Sequence, residues 1–290
     1  MNQQQRTLLT DTRFVRPAAF AEAAAARRGH APLGAHDQLL VIAADHSARG
    51  MLGVGKNARA MESRYDLLER LCEALAHPRV DGVLATPDIV EDLLLLGALE
   101  GKLVFGSMNR GGLPGSSFEL DDRFTGYTAQ SIVDAGLDGG KMLMRINFGD
   151  IGTVNTLSAC ADAVSQLAAV GKVAMVEPFL NATVNGRPAN VLTSDAVIQS
   201  MAIASALGAT SAYTWLKVPV VEDMARVAEA STLPLVLLGG DQSDKPDEMF
   251  RSWEKALALP GVRGLAVGRN LLYPHDDDVA GAVKTAASLL

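Results

Sequence analysis

The chain has 290 residues, 48% of them hydrophobic and 20% charged, which is the composition of a globular protein and excludes disorder, a collagen-like repeat and a coiled coil. Its 26 Lys+Arg against 33 Asp+Glu give a formal charge of -7, the wrong sign for a protein whose main partner is a nucleic-acid backbone. Cys72 and Cys160 are too few for a disulfide framework or a zinc site, MNQQQRTLLTDTRF has no signal-peptide core, and the longest uncharged stretch, 196–216, is too polar to span a bilayer; the expectation is a cytoplasmic protein with no membrane or nucleic-acid partner.

Residues 1–38, with the Ala-rich AAFAEAAAARRG, read as a leading helix that covers the floor of the main domain. From residue 39 one unit recurs: a short apolar run, turn residues, then a helical stretch. The runs are LLVIAAD (39–45), DGVLATP (81–87), KLVFGSMN (102–109), KMLMRINF (141–148), KVAMVEPFL (172–180), SAYTWLKVP (211–219), LPLVLLGG (233–240) and VRGLAVGRN (262–270). Rich in Val, Leu and Ile without clean alternation, they read as strands buried on both faces. The segment 61–78 between the first two carries Leu67, Leu68, Leu71 and Leu75 at helical spacing. Similar helices fit 88–100, 126–136, 155–170, 193–207, 220–230 and 246–258. Strands alternating with helices predict parallel βαβ units, and eight of them over about 250 residues predict a closed (β/α)₈ barrel, an α/β fold. An open doubly wound sheet is the alternative. No linker divides 39–290, so one barrel domain succeeds the 1–38 extension.

In such a barrel the active site lies at the C-terminal ends of the strands, and here those ends are dense in ionisable groups. Lys217 sits inside an otherwise apolar strand. A buried ammonium loses hydration, which lowers its pKa and frees an amine able to attack a carbonyl; the bland alternative is a lysine reaching out to solvent. Alternation places Tyr213, Trp215 and Lys217 on one face, read as the lumen. Glu177, with Pro178 after it, is a second charge in a buried strand, either a proton shuttle for that amine or a structural partner of Lys141 or Arg145. Asp45 ends the first strand and can orient a substrate hydroxyl, balance the lysines or cap the next loop. His46 falls on the opposite face and reads as a supporting or surface residue.

Lys141 and Arg145 share a face of the fourth strand. Lys141 is early in it and deep, able to depress the pKa of Lys217 by repulsion; Arg145 is higher and suited to a substrate anion. Gly239 and Gly240, with Gly268 and Arg269, end the last two strands, the usual phosphate position in barrels, or else form plain tight turns. The stretch 50–58 imitates a Walker A loop and a dinucleotide fingerprint, but Asn57 replaces the Ser/Thr that would reach Mg²⁺ and the glycines start too far from their strand; it reads as a flexible loop over the mouth. Without HxH or HExxH spacing, neither a metal nor another cofactor is expected.

The ADH, VEP, LKVPV, GG and VGRN at the ends of strands one, five, six, seven and eight resemble the class I aldolases that join the deoxyribose-phosphate, archaeal-type fructose-bisphosphate and tagatose-bisphosphate aldolase families. The resemblance spans roughly 39–275, and NRGGLPGSSFELDDRFTG (109–126) is similar to an actinobacterial branch that often accompanies inositol-catabolism genes. It implies a Schiff-base lyase acting on a phosphorylated keto sugar or keto sugar acid. Lys217 matches the imine-forming lysine, Glu177 the proton-transfer carboxylate, Asp45 the first-strand aspartate and Lys141 the fourth-strand lysine of the tagatose-bisphosphate type. Gly239, Gly240, Gly268 and Arg269 match the phosphate cradle. Dihydroxyacetone phosphate is the expected product, and a homo-oligomer the expected assembly. ADHSARG and Arg145 depart from the relatives' motifs and leave the sugar open. An Arg145 that grips a carboxylate would suit 2-deoxy-5-keto-gluconate 6-phosphate. A thiolase-like acyl transferase using the same lysine and a non-catalytic sugar-phosphate-binding barrel are the alternatives.

Overall fold

The structure, a computed structural model, describes residues 1–30, 36–110 and 112–290; residues 31–35 of the expected N-terminal extension and Gly111 of the 109–126 segment lie outside them. Eight parallel strands form the barrel: β1 (Leu39–Ala44), β2 (Gly82–Ala85), β3 (Leu103–Ser107), β4 (Gly139–Ile146), β5 (Val173–Val184), β7 (Thr214–Pro219), β8 (Leu235–Leu238) and β9 (Val262–Val267). They run in the order β4-β3-β2-β1-β9-β8-β7-β5, and β4 pairs with β5 to close the ring. The (β/α)₈ architecture expected from the repeating unit is the observed one.

Both faces of the strands are buried and mostly apolar, which is why no clean alternation shows in the sequence. On β1, Leu39, Val41 and Ala43 point into the lumen, while Leu40 and Ile42 pack outward under the helices. The lumen is filled at its lower end by side chains such as Leu103, Phe105, Val173 and Met175, with the Trp215 ring 5.7 Å from that of Phe105. Tyr213, expected beside Trp215, precedes β7 and is exposed.

The outer layer is α3 (Arg64–Ala76), α4 (Pro87–Leu95), α5 (Ala129–Asp134), α6 (Gly152–Ala169), α7 (Ser194–Ser205), α8 (Met224–Glu229), α9 (Pro246–Leu257) and, after a short α10 (Arg269–Leu272), α11 (Val279–Ala287). The ends obey local chemistry. Ser63 caps α3 by accepting from the Asp66 N–H, Pro87 occupies the first turn of α4, and Leu67, Leu68, Leu71 and Leu75 form the buried stripe of α3.

The extension forms two helices, α1 (Gln3–Val15) and α2 (Ala19–Ala26), with Pro17 between them. They lie on the flank: the Arg6 guanidinium covers Tyr65 of α3 and Arg13 pairs with Asp92 of α4 at 2.6 Å. Arg27 reaches the strand entries, donating to the carbonyls of Lys102 and Gly136. Beyond the barrel rim β5 continues into an antiparallel hairpin with β6 (Arg187–Asn190), turned by Asn185 and Gly186 at φ 51° and 76°, a two-residue turn of the kind that Asn-Gly favours.

Candidate active site

The strands' C-terminal ends open into a cavity of about 590 Å³. Alternation places Lys141, Leu143 and Arg145 of β4, Glu177, Phe179 and Asn181 of β5, and Lys217 of β7 on the lumen side, Lys141 in register with Met175 of the apolar plug and the others further along their strands. The charged groups form a chain. The Lys217 ammonium is 2.7 Å from Glu177 Oε1. Lys141 pairs with Glu177 Oε2 and, at 3.2 Å, with Asp45 Oδ2. Asp45 Oδ2 also pairs with Arg110 and accepts from Ser107 Oγ at 3.2 Å, while Ser107 Oγ accepts from Arg110 Nε at 3.1 Å. Asp45, Lys141, Glu177 and Lys217 are all buried, Lys217 with 3% exposure. The lysine therefore does not reach out to solvent, and its partner is the carboxylate singled out from sequence. Glu177 bridges both lysines, so the structural-partner and amine-facing readings describe one arrangement.

Burial makes each of these charges costly, and the unequal numbers of cations and anions decide how the cost is shared. Desolvation lowers the Lys217 pKa, with Arg110 and Arg269 adding repulsion against the attraction of Glu177. Lys141 is held well below the ordinary lysine value by burial and then by Arg110. Burial alone would raise the Glu177 pKa, but Lys141, Lys217 and Arg110 together hold it well below the usual carboxylate range. The site thus pairs an ionised carboxylate with an amine biased toward its neutral, nucleophilic form. Lys141 lies beneath the cavity surface, in keeping with its early place in the strand, whereas Asp45, Glu177 and Lys217 line it.

On the opposite rim from β4, Gly239, Gly240, Gly268 and Arg269 all line the cavity. The Asn270 amide donates to the carbonyls of Gly239 and Asp241, at 2.8 and 3.0 Å, shaping the β8 loop. A Cβ at Gly268 would collide with the Ala43 carbonyl oxygen, so glycine there is a demand of close packing. Arg269 donates to Asp241 at 2.9 Å, and its Nε is buried with no hydrogen-bond partner among the described residues.

Arg145 requires a correction. It lies on the cavity wall, but its Nε and Nη2 fork onto Asp122 at 2.8 and 2.5 Å. Asp122 is fully buried, in the segment that crosses from β3 to α5, and such a carboxylate needs a cation of its own. Two of its three guanidinium nitrogens are thereby held by an internal carboxylate, an engagement that the sequence reading of Arg145 as a substrate anion site did not include.

A family model described as Cgl0159-like matches residues 37–287. The chain belongs to the Cgl0159-like family. Among solved structures it is similar to Cgl0159 from Corynebacterium glutamicum (Brevibacterium flavum), with 55% identity over 100% of this chain and 97% of that one and a TM-score of 0.97. It is also similar to an archaeal fructose-1,6-bisphosphate aldolase whose catalytic lysine is covalently bound to the carbinolamine intermediate, with 15% identity over 93% and 98% of the two chains and a TM-score of 0.66. The fructose-bisphosphate aldolase of Slackia heliotrinireducens matches with 14% identity over 98% of this chain and 84% of that one, at a TM-score of 0.64. At these identities the aldolase likeness is one of fold. No curated protein matches the chain.

Four cavity residues of this Cgl0159-like barrel had no role assigned from sequence, or the wrong one. His46 was expected to face away. It comes after the last residue of β1 in helical backbone conformation, where strand alternation no longer holds, and lines the cavity with its pKa lowered to about 3 by burial and by Arg269 and Lys217. Arg110, Arg49 and Asn181 line it too. Arg110 stands at a strand end dense in charge, a usable signal. Arg49 ends a one-turn 3₁₀ helix (Ser47–Arg49), too short for any periodicity to point it anywhere. Among the described residues no group of three or more His, Cys, Asp and Glu side chains is placed to hold a metal, and no helix is long and apolar enough to cross a membrane.

Proposed function

We propose that the protein is a class I aldolase that cleaves or forms a C–C bond in a phosphorylated keto sugar or keto sugar acid through an imine on Lys217. The observation that carries this reading is the Lys217 amine, buried at the cavity and 2.7 Å from a carboxylate. The fold shared with Schiff-base-forming fructose-1,6-bisphosphate aldolases adds support. The Lys217 ammonium passes a proton to Glu177, the free amine adds to the substrate ketone, and the carbinolamine hydroxyl takes that proton from Glu177 and leaves as water. The protonated imine then accepts the electron pair of the breaking C–C bond while Glu177 removes the proton of the adjacent hydroxyl, releasing an aldehyde. The enamine left on Lys217 is reprotonated at carbon, and water hydrolyses the resulting imine to free the ketone product and the amine.

The glycine rim with Arg269 is the proposed seat of the phosphate, and dihydroxyacetone phosphate the proposed ketone product. A substrate such as 2-deoxy-5-keto-gluconate 6-phosphate, split to that product and malonate semialdehyde, fits the resemblance of 109–126 to the branch found beside inositol-catabolism genes. Borohydride trapping with a panel of phosphorylated ketoses, read by mass spectrometry, tests the chemistry. The expected result is one sugar added to the peptide containing Lys217 and none in Lys217→Met. A protein that binds the sugars yet yields no adduct is a binding barrel rather than an aldolase.

A further inference from the structure

Four buried side-chain nitrogen atoms lack a hydrogen-bond partner among the described residues: Arg49 Nη2, Arg64 Nη1, Asn181 Nδ2 and Arg269 Nε. All but Arg64 belong to residues that line the cavity at the strand ends. Buried donors without acceptors are rare and destabilising, so three on residues that line one cavity point to an acceptor-rich molecule beside them. Arg269 belongs to the rim already assigned to phosphate. Arg49 does not. It is 8% exposed, and its Nε donates at 2.7 Å to the Gly112 carbonyl in the segment after β3, which fixes the guanidinium. Around the ring β3 and β4 stand three or four strand positions from β8 and β9, so the end of Arg49 that meets this segment is across the mouth from the glycine rim. Lys217 and Glu177 lie between.

On that side Arg145 gives its Nε and Nη2 to Asp122 and the Glu119 carbonyl, and Arg49 is the guanidinium with a buried donor that no described residue meets. The charges acting on it are Arg145, Asp122, Glu119 and Glu177, three of them carboxylates. Asp122 is paired with Arg145, and Glu177 with Lys141 and Lys217, so neither opposes one further negative charge at full strength. We propose that Arg49 binds a carboxylate at the end of the substrate remote from its phosphate, so that the site selects sugar acids over neutral sugars. The orientation rests on the function proposed above, which places the phosphate at the glycine rim.

The test uses two linear six-carbon phosphates that cannot form an imine, 6-phosphogluconate and glucitol 6-phosphate, which differ only in a terminal carboxylate against a hydroxymethyl group. Isothermal titration should show the wild-type protein binding the acid at least tenfold more tightly. Arg49→Met should remove that ratio, and Arg49→Lys should keep part of it. Equal binding of the two probes by the wild type, no binding of either, or a ratio that survives in Arg49→Met overturns the proposal. An equal loss of affinity for both probes in Arg49→Met, with the ratio intact, identifies Arg49 as a pin for the 112–125 segment instead and equally overturns it. Because neither probe has a ketone, the ratio is independent of turnover. A preserved ratio with no borohydride adduct sinks the aldolase reading alone, and an adduct without the ratio sinks this one alone.

Discussion

The lower and upper halves of the barrel lumen are built by the same strands with the same alternation, yet they carry opposite chemistry. On β5 the step from Met175 to Glu177 crosses the boundary, and on β7 the step from Trp215 to Lys217 does. Below it, Met175, Phe105 and Trp215 interdigitate as in any protein core. Above it, Asp45, Lys141, Glu177 and Lys217 are as deeply buried but meet one another as ion pairs. Replacing buried ion pairs by apolar groups of similar size is often neutral or stabilising. The upper layer is therefore poorly explained by stability, and the lower layer supplies the rigid, dry base on which its charges are held. Burial means packing in one half and, on the proposed function, chemistry in the other.

The sharpest separation comes from Lys217→Met. It should lower turnover on the order of 10⁴-fold or more, as loss of a nucleophile does, while leaving the urea midpoint unchanged or higher, because Glu177 keeps Lys141. A large loss of stability would mean that the upper layer is structural after all. The converse substitution is Met175→Lys, which puts an ammonium on the same face one step below Glu177, in register with Lys141 and otherwise among buried apolar groups. With no carboxylate in its own layer it should destabilise by about 3–5 kcal/mol in equilibrium unfolding; a melting temperature equal to the wild type's would show the boundary to be permissive. Glu177→Gln should fall between, lowering turnover about 10²–10⁴-fold. It leaves two ammoniums facing a neutral amide, so its stability should rise with pH as the lysines lose their protons, which unfolding at several pH values would reveal.

The same boundary explains what is legible in the sequence. The eight apolar runs reveal the barrel because strands covered on both faces leave a continuous signature. Lys217 and Glu177 stand out as charges interrupting such runs. The hairpin of β5 and β6 is harder to see, although Val184-Asn185-Gly186-Arg187 carries an Asn-Gly turn signal. The apolar run stops at Leu180, and beyond it the strand emerges from the barrel with Thr183 and Val184 exposed, so it has no buried face to mark it. Arg145 is visible as a cation on the lumen face, but its occupation by Asp122 depends on how the segment after β3 folds back over β4, a long-range contact that no local pattern records. Arg49 and His46 lie past the end of a strand, where the period of two that assigns faces has ceased to apply.

Arg110 offers the finest probe, because it touches the upper layer without being one of the reacting groups. It pairs with Asp45 and adds a third cation to the two lysines, and its repulsion is among the causes that lower the Lys217 pKa. In Arg110→Met that repulsion is gone. The ammonium form of Lys217 gains relative to the amine, its pKa rises toward the ordinary lysine value, and the fraction able to attack a ketone at a given pH falls. The acid limb of the kcat/KM profile should therefore move to higher pH by about one unit, equivalent to ~1.4 kcal/mol. Arg110→Lys retains the charge and should leave the limb near its wild-type position. A limb that stays put in Arg110→Met would mean that burial rather than Arg110 sets the amine.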